Sequence, residues 1–194
     1  PLSTSMDRVS DLVAGTQDKL VGAAYVYRAH PALQAIRGII QTGTYGDVRE
    51  VTIVSGQHFP TFRPAYREIY YTDRKTGGGA IQDSATHMFN LIQYLVGSFE
   101  WIFCDYAHQV LPGVDVEDTV HLTGRAGGGE VMVNLSLNQF MTPNETAVQV
   151  NATDGSMRMN VHEQRYGVMG SGETEWDWSD VLVHERDELF RLQA

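Results

Sequence analysis

The chain has 194 residues, of which 42% are hydrophobic and 20% are charged. This composition is typical of a globular protein with one sizeable core. The formal net charge is −10, and no stretch is rich in Lys and Arg. Both facts argue against nucleic acid and against an anionic membrane surface as partners. No apolar run approaches the roughly 18 residues of a membrane span. Cys104 is the single cysteine, which excludes an internal disulfide and favours a reducing compartment, the cytoplasm.

The first half of the chain mixes helix and strand patterns. Residues 3–15 have apolar positions at helical spacing, and residues 20–27 predict a buried strand. A second helix is predicted over residues 31–43, because a proline suits its first turn and a glycine ends it. Residues 48–57 alternate as a strand. Residues 58–76 then form a polar, aromatic connection, and a connection of that length inside a compact domain is usually functional.

The most informative segment begins at the glycine triplet 77–79. It leads into an apolar helical pattern that ends at Gly97, and Asp83 and His87 lie four residues apart within that pattern. On an α-helix this spacing places a carboxylate and an imidazole on one face. The pair is a candidate acid/base couple, since imidazole exchanges protons near neutrality. A partly exposed helical pair without any function has the same spacing. The position beside the glycines, which allow another group to approach the backbone closely, favours the functional interpretation.

After Gly97 the pattern changes to short strands separated by tight turns. Asp154 and Gly155 stand between two of them, a strong hairpin signal. Consecutive strands joined in this way predict a mainly antiparallel sheet. The predicted strands are 101–110, 119–125, 130–138, 146–152 and 156–161.

Two of these motifs resemble the glucose-fructose oxidoreductase, inositol dehydrogenase and MocA (Gfo/Idh/MocA) family of nicotinamide-dependent sugar oxidoreductases. The first is the glycine triplet with Asp83 and His87, which lie on an active-site helix in that family. The second is the segment 25–31, which in the family links the nucleotide-binding domain to the second domain. The resemblance spans about residues 1–100, and the later half agrees with it only in being rich in strands.

The resemblance implies an α+β fold with an open, mainly antiparallel sheet and helices on one face, preceded by the last helix and strand of a Rossmann-type domain. Residues 1–30 would be the edge of that nucleotide-binding domain, and residues 31–194 a substrate-binding and oligomerisation domain. The chain shows no glycine-rich dinucleotide fingerprint, and Pro1 matches the proline of the family's Glu-Lys-Pro motif. A helix that begins near residues 182–190 is cut short. We therefore expect NAD or NADP to be bound mainly by a missing N-terminal domain, and the chain alone to be inactive.

Roles within the site follow from what hydride transfer requires. A base must lie within about 3 Å of the substrate hydroxyl. His87 is assigned as that base, and Asp83 as the group that hydrogen-bonds the imidazole or a neighbouring sugar hydroxyl. Arg28 is assigned to the cofactor. One cysteine and scattered histidines do not supply the three or four convergent ligands that a metal needs.

Substrate contacts are expected from the long connection, whose side chains offer donors and flat faces for a polyol, a sugar acid or a phosphorylated sugar. Each of them is equally compatible with an ordinary surface position. The candidates are His58, Arg63, Tyr66, Arg67, Tyr70 and Lys75.

In the family the free face of the sheet often packs against a partner subunit, which implies a homo-oligomer. Met132, Leu135 and Leu137 are then candidate interface residues, although for any single one of them the domain's own core is the favoured position, because apolar strand residues usually face the core. Two function classes follow for the chain. It is either the substrate domain of a sugar or polyol oxidoreductase, or a non-catalytic protein that uses the fold to bind a sugar-like ligand or to assemble subunits.

Overall fold

The computed structural model describes residues 6, 7, 9–19 and 21–193. The helices are α1 (Val9–Ala14), α2 (Pro31–Thr42), α3 (Phe59–Phe62), α4 (Thr86–Val96) and α5 (Arg186–Arg191). The strands are β1 (Val48–Gly56), β2 (Phe99–Ala107), β3 (Thr119–Ala126), β4 (Val131–Asn138), β5 (Glu145–Ala152), β6 (Gly155–Asn160), β7 (Arg165–Gly170) and β8 (Asp177–Trp178). None of the helices in the described ranges is both long and apolar enough to cross a membrane.

All eight strands form one open sheet in the order β2-β3-β4-β1-β5-β6-β7-β8. Strands β2 to β4 form one antiparallel run and β5 to β8 another. Strand β1 lies between the two runs, parallel to β4 and antiparallel to β5. The predicted open, mainly antiparallel sheet is confirmed.

The core lies between one face of the sheet and helices α2 and α4. Leu33 and Ile36 of α2, Leu91 and Ile92 of α4 and Ile53 of β1 are fully buried in it. Because the apolar positions of each helix recur on one side, each helix buries one stripe and leaves the other side to solvent. The opposite face of the sheet carries no helix in the described part of the chain.

The ends of α2 agree with their sequence signals. Pro31 occupies the first turn, where its missing N–H costs nothing. The imidazole Nδ1 of His30 accepts the N–H of Ala32 at 3.2 Å and so caps the helix. Gly43 ends it with a left-handed φ of 66°. The helix predicted over residues 31–43 is confirmed.

The long connection is folded rather than loose. It consists of α3 and three short 3₁₀ turns, Pro64–Arg67, Tyr70–Thr72 and Arg74–Thr76. These turns pack against the loop between β2 and β3 to form a second, smaller core. The members of that core are Phe59, Tyr66, Tyr71, Leu111, Val114 and Val116. A packed connection can hold side chains at fixed places beside the main sheet.

The strand predicted over residues 20–27 is not formed. Residues 21–25 have no regular secondary structure and are mostly exposed, and Val26–Ala29 is a 3₁₀ turn. None of the described strands pairs with this segment, so its backbone groups join no ladder. Leu20 and the first residues, 3–5, of the helical pattern predicted over residues 3–15 lie outside the described residues.

Strand β7 was not predicted. Gly167 interrupts the β pattern of β7, and the ring of Trp178 lies against it, where a β-carbon would come within 3.0 Å of the indole. The guanidinium of Arg165 stacks on the same indole at 4.5 Å. Gly167 weakens the strand pattern in the sequence, and the packing of Trp178 requires a glycine at this position.

The three residues assigned to a subunit interface lie on opposite faces of β4. Leu135 and Leu137 are buried in the domain's own core, whereas Met132 is 51% exposed on the open face. Successive side chains of a strand alternate between faces, and residues 132 and 135 are an odd number apart. For Leu135 and Leu137 the favoured position in the domain's own core is confirmed.

Substitutions at these positions should therefore differ. Leu135→Ala should lower the free energy of unfolding by about 2–5 kcal/mol, because it leaves a cavity in a packed core. Met132→Ala should change it by less than about 0.5 kcal/mol. Urea unfolding followed by circular dichroism measures both, and equal losses would contradict the assignment of faces.

Candidate active site

A cleft of about 1180 Å³ opens at one end of the sheet. Strands β1 and β4 are parallel, so their C-terminal ends reach it together and contribute residues 55–57 and 137–139. The long connection, the start of the Asp83/His87 helix and the segment 22–27 form further walls. Most lining residues come from segments far apart in sequence.

The glycine triplet shapes the entry into this helix. Gly77 and Gly79 have left-handed φ values of 94° and 90°, which glycine adopts without strain. A β-carbon on Gly78 would lie 2.2 Å from the carbonyl oxygen of Tyr71, so the backbone there tolerates no side chain. The first turn, Ile81–Ala85, is a π-helical turn, and α4 begins only at Thr86. The prediction of a helix was correct in position but not in the winding of its first turn.

Asp83 is held by the long connection. Its side chain is 6% exposed, and its Oδ2 accepts a hydrogen bond from Nη1 of Arg63 at 2.9 Å. The hydroxyl of Tyr70 donates to Oδ1. Burial lowers the pKa of the Arg63 guanidinium, but Asp83 and Tyr70 outweigh that effect and hold the pKa above its usual value. The buried carboxylate therefore has a permanent counter-charge.

A second chain of hydrogen bonds reaches Asp83 from behind. Ser84 Oγ donates to Asp83 Oδ2 at 3.0 Å, and Gln139 Nε2 donates to Ser84 Oγ at 3.0 Å. The hydroxyl of the buried Tyr71 donates to the amide oxygen of Gln139. The Asp83 carboxylate thus has donors on both sides, which fixes its orientation.

His87 stands beside two aromatic rings. The rings of Tyr25 and Tyr27 meet its imidazole edge-on, at centroid distances of 5.5 and 6.3 Å. Its Nδ1 is buried and has no hydrogen-bond partner among the described residues. Burial lowers the pKa of His87, opposed by the charge of Asp83. The imidazole is therefore neutral at pH 7 and able to accept a proton.

Within the described residues, Asp83 and His87 are not hydrogen-bonded to each other. Both carboxylate oxygens already accept bonds from Arg63 and Tyr70. The expected direct orientation of the imidazole by Asp83 is absent in this state, and the influence of Asp83 on His87 is electrostatic. Both side chains line the cleft, so the pair faces one space.

The other predicted substrate residues divide into two groups. Arg63 and Tyr70 line the cleft beside Asp83. Tyr66 and Arg67 do not. Tyr66 is buried in the second core with its hydroxyl on the carbonyl of Pro112 at 2.8 Å, and Arg67 Nε donates to the same carbonyl at 2.9 Å. These hydrogen bonds hold the connection against the loop between β2 and β3.

Three further predicted residues also lie outside the cleft lining. His58 Nδ1 pairs with the hydroxyl of Thr61 at 2.8 Å. Lys75 is exposed on the last 3₁₀ turn of the connection. Arg28, assigned to the cofactor, donates from Nε to Asn90 Oδ1 at 2.7 Å. Nothing in this arrangement turns any of them toward Asp83 and His87.

Several cleft residues have no signal in the local sequence. His30, His162 and His184 lie far apart in the chain, yet all three line the cleft. The rings of His30 and His184 meet edge-on at 4.5 Å, and burial, helped by the neighbouring His184, lowers the pKa of His30 to about 4. No group of three or more His, Cys, Asp or Glu among the described residues is arranged to hold a metal.

Comparisons with known proteins identify the family and the fold of the chain. Residues 33–158 match the family model of the GFO/IDH/MocA C-terminal domain. Levoglucosan dehydrogenase in complex with NADH and levoglucosan is similar in structure, with a TM-score of 0.87 and 18% identity over 100% of this chain and 60% of that one. A putative oxidoreductase from Thermotoga maritima has a TM-score of 0.79 and 16% identity over 100% of this chain and 60% of that one.

A third similar structure is the super-repressor mutant of Gal80p from Saccharomyces cerevisiae. Its TM-score is 0.80 at 13% identity, over 99% of this chain and 55% of that one. At such identities the likeness shows the fold alone. The chain spans 55–60% of the length of these three proteins. No curated protein matches it in sequence.

The state of His87 is open to direct measurement. In a pH titration of imidazole signals by NMR, His87 should titrate below the ordinary histidine value of about 6.5. Asp83→Asn should lower the midpoint further, because the carboxylate that favours the charged imidazole is gone. His87→Gln identifies the signal by removing it. A midpoint that rises in Asp83→Asn would contradict the electrostatic link between the two residues.

Proposed function

Because the chain belongs to the Gfo/Idh/MocA family, we propose that it is the substrate domain of an NAD(P)-dependent oxidoreductase that acts on a CH–OH group of a sugar, a polyol or a related compound. Residues 31–194 form that domain, and residues 1–30 belong to the edge of a nucleotide-binding domain. The observation that carries the proposal is the meeting of a neutral, partly buried imidazole and a fixed carboxylate in one large cleft. A cytoplasmic location is part of the same proposal.

The size of the cleft suits a substrate together with a nicotinamide ring. Its volume of about 1180 Å³ exceeds the roughly 300–1,000 Å³ of a pocket for one small molecule. NAD or NADP, bound mainly by the N-terminal domain, would supply the hydride acceptor. Segment 22–27, which is part of that domain's edge, forms one wall of the cleft, and through Tyr25 and Tyr27 it packs on His87.

The residues of this chain would then handle the proton. His87 takes the proton of the substrate hydroxyl as the hydride leaves the same carbon, which yields a carbonyl group and an imidazolium. Asp83 stabilises that imidazolium across the cleft and accepts a hydrogen bond from a neighbouring hydroxyl. Arg63 and Tyr70 keep the carboxylate in place throughout. In the reverse reaction His87 returns the proton.

The charges in the cleft favour a neutral substrate. Arg63 and Asp83 are the charged side chains among the described lining residues, and they neutralise each other. An anionic sugar acid or sugar phosphate would find no unpaired cation in this part of the site. A neutral sugar or polyol needs none. Levoglucosan, bound by one of the similar structures, is a suitable first probe.

The alternative is a non-catalytic protein of the same fold, and its support is the likeness to Gal80p, a protein described as a super-repressor mutant. Such a protein would need the cleft for a ligand but not an acid/base couple. Here the side chain of Asp83 is buried with its counter-charge, and His87 keeps a buried nitrogen that has no partner among the described residues. These features favour the enzyme.

The test is made on the full-length protein, with NAD⁺ and NADP⁺ and a panel of levoglucosan, neutral sugars and polyols. His87→Ala should lower kcat by about 10²- to 10⁴-fold, the usual worth of a positioned base, with little change in cofactor affinity. The wild-type rate should fall on the acid side as the imidazole protonates, and the variant should lose that limb.

The matched control is His121→Ala, since His121 is exposed on β3 and does not line the cleft. It should keep the wild-type rate and pH profile. If His87→Ala kept near-normal turnover with an unchanged profile, or if the wild type oxidised none of the panel, the non-catalytic alternative would take precedence.

We also propose that the open face of the sheet forms a homo-oligomer. Trp101 and Phe103 on β2 and Met132 on β4 are 52%, 66% and 51% exposed on it. Apolar side chains grouped on one face favour association, and the repulsion between chains of net charge −10 is screened by salt.

Sedimentation at tens of micromolar should accordingly show a dimer or larger species. Met132→Lys should shift the equilibrium toward the monomer by about tenfold or more, because it places a charge in the buried contact. Val110→Lys is the control, since Val110 is also exposed but lies beyond the end of β2. A wild type that stays monomeric would contradict the proposal.

A further inference from the structure

The helix that carries Asp83 and His87 begins on a residue far away in the sequence. Glu117 lies in the loop before β3, and its side chain is 3% exposed. Its carboxylate Oε1 accepts the backbone N–H of Ile81 at 3.1 Å. Its own backbone carbonyl accepts the N–H of Ala80 at 2.8 Å. One residue thus satisfies two successive N–H groups at the start of the helix.

A helix start leaves its first N–H groups without partners inside the helix. Here the capping position is Ala80, whose side chain has no acceptor. Ser, Thr, Asp or Asn usually supplies that acceptor locally. Here the carboxylate of Glu117, which is distant in the sequence, accepts the hydrogen bond instead. Its negative charge suits the positive end of the helix.

The carboxylate also accounts for glycine at position 79. A β-carbon there would lie 2.4 Å from Oε1 of Glu117 and 2.7 Å from its carboxyl carbon. The close approach that the glycine triplet allows is therefore filled by a side chain of the protein itself. Arg74 closes the arrangement, with Nε donating to Oε2 of Glu117 at 2.9 Å.

We propose that Glu117 is a positioning residue for Asp83 and His87, acting through the cap it places on their helix. The inference rests on the proposed function of the pair. Asp83 follows Ile81 by two residues, and its own N–H bonds the carbonyl of Gly79 at 2.9 Å. A change at the cap therefore displaces the Asp83 carboxylate more than it displaces residues farther along the helix.

Two substitutions separate the cap from the charge. Glu117→Gln keeps an oxygen acceptor at the same reach but loses the negative charge. Glu117→Asp keeps the charge, but its shorter side chain withdraws from the Ile81 N–H. In the full-length protein with NAD⁺ and levoglucosan, or the best sugar of the panel, Glu117→Asp should lower kcat by about 10- to 100-fold. Glu117→Gln should stay within about threefold of the wild type, and KM for NAD⁺ should be unchanged in both.

Glu130→Ala is the control, because Glu130 pairs with Arg49 in an exposed ion pair away from the helix start. It should leave kcat unchanged. A normal kcat in Glu117→Asp would overturn the proposal. So would a loss confined to Glu117→Gln, since charge would then be the requirement.

Hydrogen exchange on the full-length protein, without cofactor or sugar, tests the cap independently of any activity. In Glu117→Asp the amide of Ile81 should exchange about tenfold faster or more, while the amide of Leu91 in α4 keeps its rate. A purely structural role would accelerate both. If the wild type shows no turnover but Ile81 responds in this way, the proposed function fails while the cap stands. If Ile81 does not respond, the cap itself is wrong.

Discussion

The ion pair between Arg63 and Asp83 is the interaction on which the site depends. A carboxylate that is 6% exposed would be costly to keep charged without a partner, by several kcal/mol. Arg63 supplies the partner, and it comes from the long connection, so the pair also ties that connection to the helix. The second core beneath the connection keeps Arg63 within reach of Asp83. The neutral balance of charge in the cleft follows from the same contact.

His87 is left in a different condition. Its Nδ1 is buried without a partner in the described chain, although buried polar atoms nearly always have one. Tyr25 and Tyr27 pack against the imidazole at steep angles without forming a hydrogen bond to this nitrogen. An imidazole that is neutral, enclosed and incompletely bonded suits a group that exchanges a proton with a ligand. In the proposed reaction Asp83 supplies a fixed negative charge, and His87 exchanges the proton.

Local signals predicted much of this fold. Pro31 and Gly43 marked the ends of α2, the Asp154 and Gly155 pair marked the hairpin between β5 and β6, and the glycine triplet marked the start of the Asp83/His87 helix. Each of these depends on a few neighbouring residues, so a short stretch of sequence contains the whole cause. Strand alternation also shows which residues of β4 share a face. Which of the two faces is buried can be told only from the side that the helices cover.

The remaining features depend on contacts between distant segments. Tyr66 and Arg67 have the chemistry of substrate contacts, and only the fold shows that the carbonyl of Pro112 takes their polar atoms. Glu117 stands 36 residues after Ile81, and no periodicity connects the two. The segment 21–25 has the composition of a strand, and without a neighbouring strand it is not one. Sequence patterns predicted the elements, and the partners of polar side chains came only from the structure.

The central claim is that Asp83 and His87 act together on one substrate hydroxyl. A crystal structure of the full-length protein with NADH and levoglucosan tests it most directly. We expect a sugar hydroxyl within about 3 Å of the His87 imidazole, a second polar contact to Asp83, and Arg63 still bound to the carboxylate. A sugar bound elsewhere, with Asp83 and His87 contacting protein groups alone, would contradict it.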